Sequence, residues 1–165
     1  MTAGDRPEQP ATPSPIEDRV REIAADNALS LGYSFDELEL RVPRDAVAEL
    51  CGALKSDPDL NFTYLRCLSV VDWQDELEVV YHLASLNHPH RLVIKTRAPM
   101  EDPWVPTTIG VWRGADWHER EGHDLFGLEF RGHPDLSPLL LYDGFEGFPG
   151  RKSYHIPEQV TFYGD

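Results

Sequence analysis

The sequence predicts an α+β fold, with a small antiparallel or mixed sheet, flanking helices and an irregular, interface-forming C-terminal segment. Three observations carry that expectation. Residues 37–42 alternate strictly between polar and apolar side chains, the pattern of a half-buried strand. Ile16, Val20, Ile23 and Ala24, and again Val47, Leu50, Cys51 and Leu54, recur at helical spacing. From Gly132 onward the chain is rich in Gly, Pro and aromatic residues and loses periodicity.

Residues 1–13 are polar and carry Pro7, Pro10 and Pro13, so they read as a disordered tail without the apolar run of a secretory signal. Ser14-Pro15-Ile16-Glu17 has the form of a capping box, opening a helix expected to reach about Leu31 and stop at Gly32. The strand at 37–42 ends before Pro43, and the second helix closes near Asp57-Pro58. Phe62, Leu65 and Leu68 lie three apart, which predicts a short helical turn before a strand that starts at 69–72. Residues 76–85 and 91–97 are strand-like runs around the turn Asn87-His88-Pro89-His90, together a β-meander. Residues 98–107, with Pro99, Pro103 and Pro106, read as a loop. Thr107 or Thr108 is expected to cap a short helix ending at Gly114. Asp116-Trp117-His118-Glu119 is a second capping-box pattern, for a helix to Phe126 with Gly127 as its stop. The folded domain is thereby expected over 14–135, with 136–165 lying as an irregular segment against a partner subunit.

Composition excludes several classes of function. The chain has 165 residues, 41% hydrophobic and 27% charged, which suits one soluble globular domain. No apolar run is long enough to span a bilayer. A formal charge of −14 repels phosphate backbones and anionic lipid, so nucleic-acid binding and membrane-surface binding are not expected. The two cysteines, Cys51 and Cys67, have no zinc or iron–sulfur spacing and are expected to be buried thiols.

The densest polar cluster is His118-Glu119-Arg120-Glu121-Gly122-His123-Asp124. It nearly spells HExxH, but its histidines stand five apart, about 140° around a helix, where one metal ion needs a separation of about 40°. A metal-dependent hydrolase using His118, His123 and His133 is therefore a distant alternative. The spacing also makes a charge ladder, with Arg120 and Asp124, and Glu119 and His123, each four apart. Trp112, Trp117, Leu125 and Phe126 surround the ladder, which fits either a solvated face or a partly desolvated interface. Glu119, Arg120, Glu121 and Asp124 are expected to form an ion network that fixes the helix. No nucleophile elbow, dinucleotide fingerprint or phosphate loop occurs. Gly122, inside a helix, points to close packing.

Trp117-His118-Glu119-Arg120-Glu121, Asp124-Leu125-Phe126-Gly127-Leu128, Phe130, Gly132-His133-Pro134-Asp135-Leu136 and Arg151-Lys152 resemble the 30-kDa (C-type) subunit of respiratory complex I. The resemblance runs from about residue 35 to 154. It departs at Ser137-Pro138, where the family pattern has two basic residues, and at Gly150-Arg151-Lys152-Ser153-Tyr154 in place of Leu-Arg-Lys-Asp-Phe. What the resemblance implies is a peripheral-arm, non-catalytic subunit that holds no cofactor. NAD, FMN, iron–sulfur clusters and quinone would then sit on partner subunits of a proton-translocating NADH:quinone oxidoreductase. It implies a hetero-oligomer on the cytoplasmic side of the membrane, with a D-type (49-kDa) quinone-site subunit and neighbouring iron–sulfur subunits as partners. The same subunit type occurs in energy-converting membrane-bound [NiFe] hydrogenases, where the partner is a hydrogenase-like large subunit. Carried over residue by residue, the family signature and interface comprise Trp117, Glu119, Arg120, Glu121, Asp124, Phe126, Gly127, His133, Pro134, Arg151 and Lys152.

Overall fold

The computed structural model describes residues 15–155. The tail at 1–13, the expected cap Ser14 and residues 156–165 lie outside the described residues. Helix α1 (Glu17–Ala24) buries Val20 and Ala24. It is shorter than its periodicity suggests, because residues 25–27 tighten into a 3-10 turn and the chain then enters strand β1 (Ser30–Ser34). Gly32 is thus a strand residue, not a helix stop. A two-residue turn, Phe35-Asp36, leads to β2 (Glu37–Arg41), which buries Leu38 and Leu40 as the alternation predicts.

Helix α2 (Val47–Ser56) buries Val47, Leu50, Cys51 and Leu54, all four of the expected face. The expected helical turn at Phe62–Leu68 is instead the start of β3 (Tyr64–Asp72). Leu65 pairs with Leu83 and Cys67 with His82, so Arg66 is an extra residue in a β-bulge. The bulge turns Leu65 and Leu68, three apart, to the same buried side and so imitates helical spacing. Strands β4 (Glu76–Ala84) and β5 (Arg91–Pro99) follow the expected meander. The loop at 98–107 contains a further short strand, β6 (Trp104–Pro106). Helix α3 (Ala115–Phe126) is followed by β7 (Glu129–Arg131), which pairs in parallel with β6.

The main sheet has five strands in the order β1-β2-β5-β4-β3. It is mixed: β2 and β5 run parallel and the other pairs antiparallel. One face carries Leu38, Leu40, Leu77, Tyr81, Leu83, Leu92 and Ile94, which join Val20, Leu50, Leu54 and Phe130 in a single core. The opposite face is held by cross-strand ion pairs. Lys95 lies 2.6 Å from Glu39, and Arg97 and Arg41 lie 2.8 and 3.4 Å from Glu78. Two residues on that face, Val80 and Val93, are buried outside the main core. Cys51 is buried, but Cys67 is only half-buried, contrary to expectation, because it sits at the bulge on an edge strand.

Helix α3 rests on β3 at the sheet edge. A Cβ on Gly122 would come within 2.9 Å of Val70 and 3.2 Å of Phe130, so glycine sets that distance. Gly122→Leu is expected to overpack this contact and destabilise the fold by about 1–3 kcal/mol. A thermal melt checks it, with a fall of several degrees in Tm expected and an unchanged Tm contradicting the close approach.

Candidate functional site

Helix α3 begins at Ala115, and no side chain caps its first amides. The capping pattern around Asp116 is therefore not used. Glu119 turns outward from its own helix and accepts hydrogen bonds from the backbone N–H and hydroxyl of Thr108, at 2.7 and 2.8 Å, and from the Thr107 hydroxyl. The short helix expected between Thr107 and Gly114 is replaced by turns. The two threonines donate to α3 rather than capping a helix of their own. Glu119 is fully buried. Burial raises its carboxyl pKa, and the three donors and nearby His133 only partly offset this.

The charge ladder does not close on itself. Among the described residues, no ion pair joins Arg120 to Asp124 or Glu119 to His123. Asp124 instead receives three successive backbone N–H groups, from Leu139, Leu140 and Leu141, on its Oδ2 at 3.2, 2.7 and 2.9 Å. Burial alone would raise its carboxyl, but these N–H groups outweigh it and hold Asp124 below the usual carboxylate range. Arg120 donates to the Ser137 carbonyl and hydroxyl and to the Pro138 carbonyl, at 3.1–3.2 Å. The loop at Ser137-Pro138 is thus gripped by a cation from α3. Glu121 is exposed and Trp117 is 69% exposed, so the expected four-residue ion network is replaced by side chain-to-backbone bonds.

The end of α3 is capped by the same irregular segment. Gly127 takes φ +66° and its N–H closes on the His123 carbonyl, as its position past the helix predicts. A Cβ there would lie 2.5 Å from the Phe148 ring. Gly150 donates to the Leu125 carbonyl at 2.9 Å. Arg151 donates to the Phe126 carbonyl at 2.6 Å, with its guanidinium 4.6 Å from the Phe148 ring. Two open carbonyls of α3 are satisfied in this way, one by a cation that complements the helix dipole. The Lys152 backbone N–H donates to buried Asp72 at 2.7 Å. Arg151 and Lys152 therefore pin their own segment. Asp72 and the Leu139–Leu141 amides form no motif in the sequence, because their roles depend on contacts across 15 to 80 residues.

His133 packs its side chain out of solvent. Its Nδ1 accepts the Asp135 N–H at 3.1 Å, and its Nε2 lies 3.4 Å from Asp116. Pro134 beside it is exposed. His123 is spent on the Leu128 carbonyl at 3.0 Å. Among the described residues, no three His, Cys, Asp or Glu side chains gather where they could hold a metal ion. His118, His123 and His133 do not converge, so the hydrolase alternative has no geometry to support it. What α3 does bring together is a clasp for residues 137–152, with Leu140 and Tyr142 left 59% and 71% exposed on its outer side.

Asp124→Asn keeps an acceptor for the three amides but removes its charge. It is expected to cost about 1–2 kcal/mol at neutral pH, the gap between charge-assisted and neutral hydrogen bonds. Because the folded carboxyl of Asp124 is depressed, its contribution is present above the unfolded value of about 3.9 and is lost as pH falls through the folded value. Chemical denaturation of both proteins from pH 7 downward checks this. The difference should shrink to nothing in strong acid, and a constant difference would contradict the charged clasp.

The family described as "Respiratory-chain NADH dehydrogenase, 30 Kd subunit" matches residues 40–160. An NADH-quinone oxidoreductase C-type subunit of Rhizobium meliloti (strain 1021) is 44% identical over 130 residues, 77% of this chain and 71% of that one. The C-type subunit of the F(420)H(2) dehydrogenase of Methanosarcina mazei is 42% identical over 127 residues, 70% of this chain and 79% of that one. Among solved structures, a chain of the membrane-bound sulfane sulfur reductase, an archaeal respiratory membrane complex, superposes with TM-score 0.72 and 29% identity over 85% of both chains. The trypsin-resistant fragment of Nqo5 superposes with TM-score 0.63 and 28% identity, covering 73% of this chain and 98% of the fragment. The clasp on α3 and the sheet beneath it are thus carried by a chain that belongs to the family of the 30 kDa subunit of respiratory-chain NADH dehydrogenase.

Proposed function

We propose that this chain is a cofactor-free, non-catalytic peripheral-arm subunit of a proton-translocating NADH:quinone oxidoreductase. Its role is assembly and stability of the electron-transfer module beside the D-type quinone-site subunit, with iron–sulfur subunits as neighbours. NAD, FMN, iron–sulfur clusters and quinone belong to those partners. The observation that carries this reading is the 44% identity to a C-type subunit of an NADH-quinone oxidoreductase over most of both chains. The chemistry of α3 supports it. Glu119, Arg120 and Asp124 are engaged with loop groups and Arg151 with the last carbonyl of α3, in the manner of residues that shape a surface. No helix among the described residues is long and apolar enough to cross a membrane. Attachment on the cytoplasmic side through partner subunits is the corresponding placement.

A second reading is favoured by the relatives in an F(420)H(2) dehydrogenase and in a sulfane sulfur reductase. The same kind of chain would then serve a complex with another donor or acceptor, such as an energy-converting hydrogenase. Affinity purification of the tagged chain from its own membranes in mild detergent separates the readings. A flavin-carrying NADH-oxidising subunit and a quinone-site partner are expected to copurify. A nickel-binding large subunit would establish the second reading, and no membrane partner would overturn both. Arg120→Ala is expected to shift the Tm of the free chain by less than about 4 °C, since the residue is partly exposed, and to lower the yield of assembled complex several-fold. Normal assembly in that variant would remove Arg120 from the proposed role.

A further inference from the structure

The α3 clasp begins at a histidine. His133 lies between β7 and Ser137, the first residue that Arg120 grips. Its side chain is 1% exposed, yet its Nε2 is buried and makes no hydrogen bond among the described residues. Nδ1 accepts the N–H of Asp135 at 3.1 Å, so the neutral ring carries its proton on Nε2. A buried N–H donor left over in this way is uncommon and costs free energy.

Carboxylates face the ring from two elements. Asp116 Oδ1 lies 3.4 Å from Nε2, and Glu119, one turn further along α3, interacts electrostatically with the imidazole. Asp135, in the same loop as His133, does so too, and Arg120 is the cation that faces Asp135. The three carboxylates draw a second proton to the ring. The hydrogen bonding of the loop opposes it, because a protonated imidazole carries N–H at both nitrogens and cannot accept from Asp135. Proton uptake therefore sets one donor against another at Nδ1 and exchanges that bond for an ion pair with Asp116.

The bond lost in that exchange is the first in a chain. The Ser137 N–H donates to Asp135 Oδ1 at 2.9 Å. Arg120 then holds Ser137 and Pro138, and Asp124 holds the amides of Leu139, Leu140 and Leu141. The orientation of Asp135 thus sets where the segment meets α3.

We propose that His133 is a proton-sensitive latch at the entry of the clasp: the neutral ring holds residues 135–138 against α3, and the protonated ring pairs with Asp116 and releases them. Histidine is the side chain that changes charge between about pH 5 and 8. The closed form binds one proton fewer, so closure is favoured as pH rises and is lost as pH falls. The latch belongs to the free chain, so its failure leaves the proposed function standing.

The test follows the full chain by NMR from about pH 8 to about pH 5.5, the range in which histidine changes charge. At the upper end, the ring nitrogen shifts of His133 are expected to place the proton on Nε2. As pH falls, the ring should take up a second proton. With the same midpoint, the exchange protection of Ser137 and Leu139, corrected for intrinsic rates, is expected to fall about threefold to tenfold, the effect of losing one hydrogen bond. His133→Asn puts an oxygen acceptor in place of Nδ1 and carries no titratable proton, so it is expected to keep that protection constant. Asp116→Asn removes the charge facing Nε2 and is expected to move the midpoint to lower pH. A ring protonated on Nδ1 at the upper end, a ring that stays neutral throughout, or proton uptake without loss of protection overturns the latch. So does a pH dependence that survives in His133→Asn, which would belong to Glu119, or a midpoint that Asp116→Asn leaves in place. If His133→Asn does not fold, the titration of the unmodified chain decides alone.

Discussion

An irregular segment has no ladder of its own in which to pair backbone N–H and C=O groups, and a segment packed on a protein surface cannot leave them all to water. Residues 137–152 meet that constraint by borrowing side chains from helix α3 and from the end of β3. Asp124 takes three successive amides, Arg120 takes the two carbonyls before them, and Asp72 takes the amide of Lys152. In the other direction, Gly150 and Arg151 close the last carbonyls of α3. Helix and segment therefore terminate each other. Glu119 does the same on the upstream side, holding Thr107 and Thr108 where no helix forms.

This arrangement explains why so polar a helix lies among buried residues. Its charges are not neutralised by opposite charges four residues away, which would be worth only a few tenths of a kcal/mol each. They are satisfied by charge-assisted bonds to backbone, which are stronger and position-specific. Gly122 and Gly127 complete the design. One lets α3 approach Val70 and Phe130, and the other turns the chain and leaves room for the Phe148 ring.

The features legible in the sequence are those governed by local period. Strand β2, helix α2, the β4–β5 hairpin and the stop of α3 at Gly127 follow directly from alternation, helical spacing and glycine placement. The start of β3 mimics a helical turn because the bulge at Arg66 shifts its apolar residues from a spacing of two to three. Helix α1 ends early because residues 30–34 are claimed by pairing of β1 with β2, a tertiary effect. Strands β6 and β7 are three residues each, too short for any period to show. At the site, the residues are legible as a cluster, but their partners are not. Spacing brings Arg120 and Asp124 together, whereas the fold gives each a different stretch of loop.

The relatives share this fold across an NADH-quinone oxidoreductase, an F(420)H(2) dehydrogenase and a sulfane sulfur reductase. A scaffold whose polar residues shape a surface is compatible with that range of complexes. That surface depends on α3 pinning residues 137–152 by charge-assisted bonds. Native-state hydrogen exchange of the free full-length chain tests the pinning most directly. The amides of Leu139, Leu140, Leu141 and Lys152 should exchange slowly at neutral pH, although they lie in no helix or strand. Exchange there at the rate of an unstructured chain would contradict the clasp.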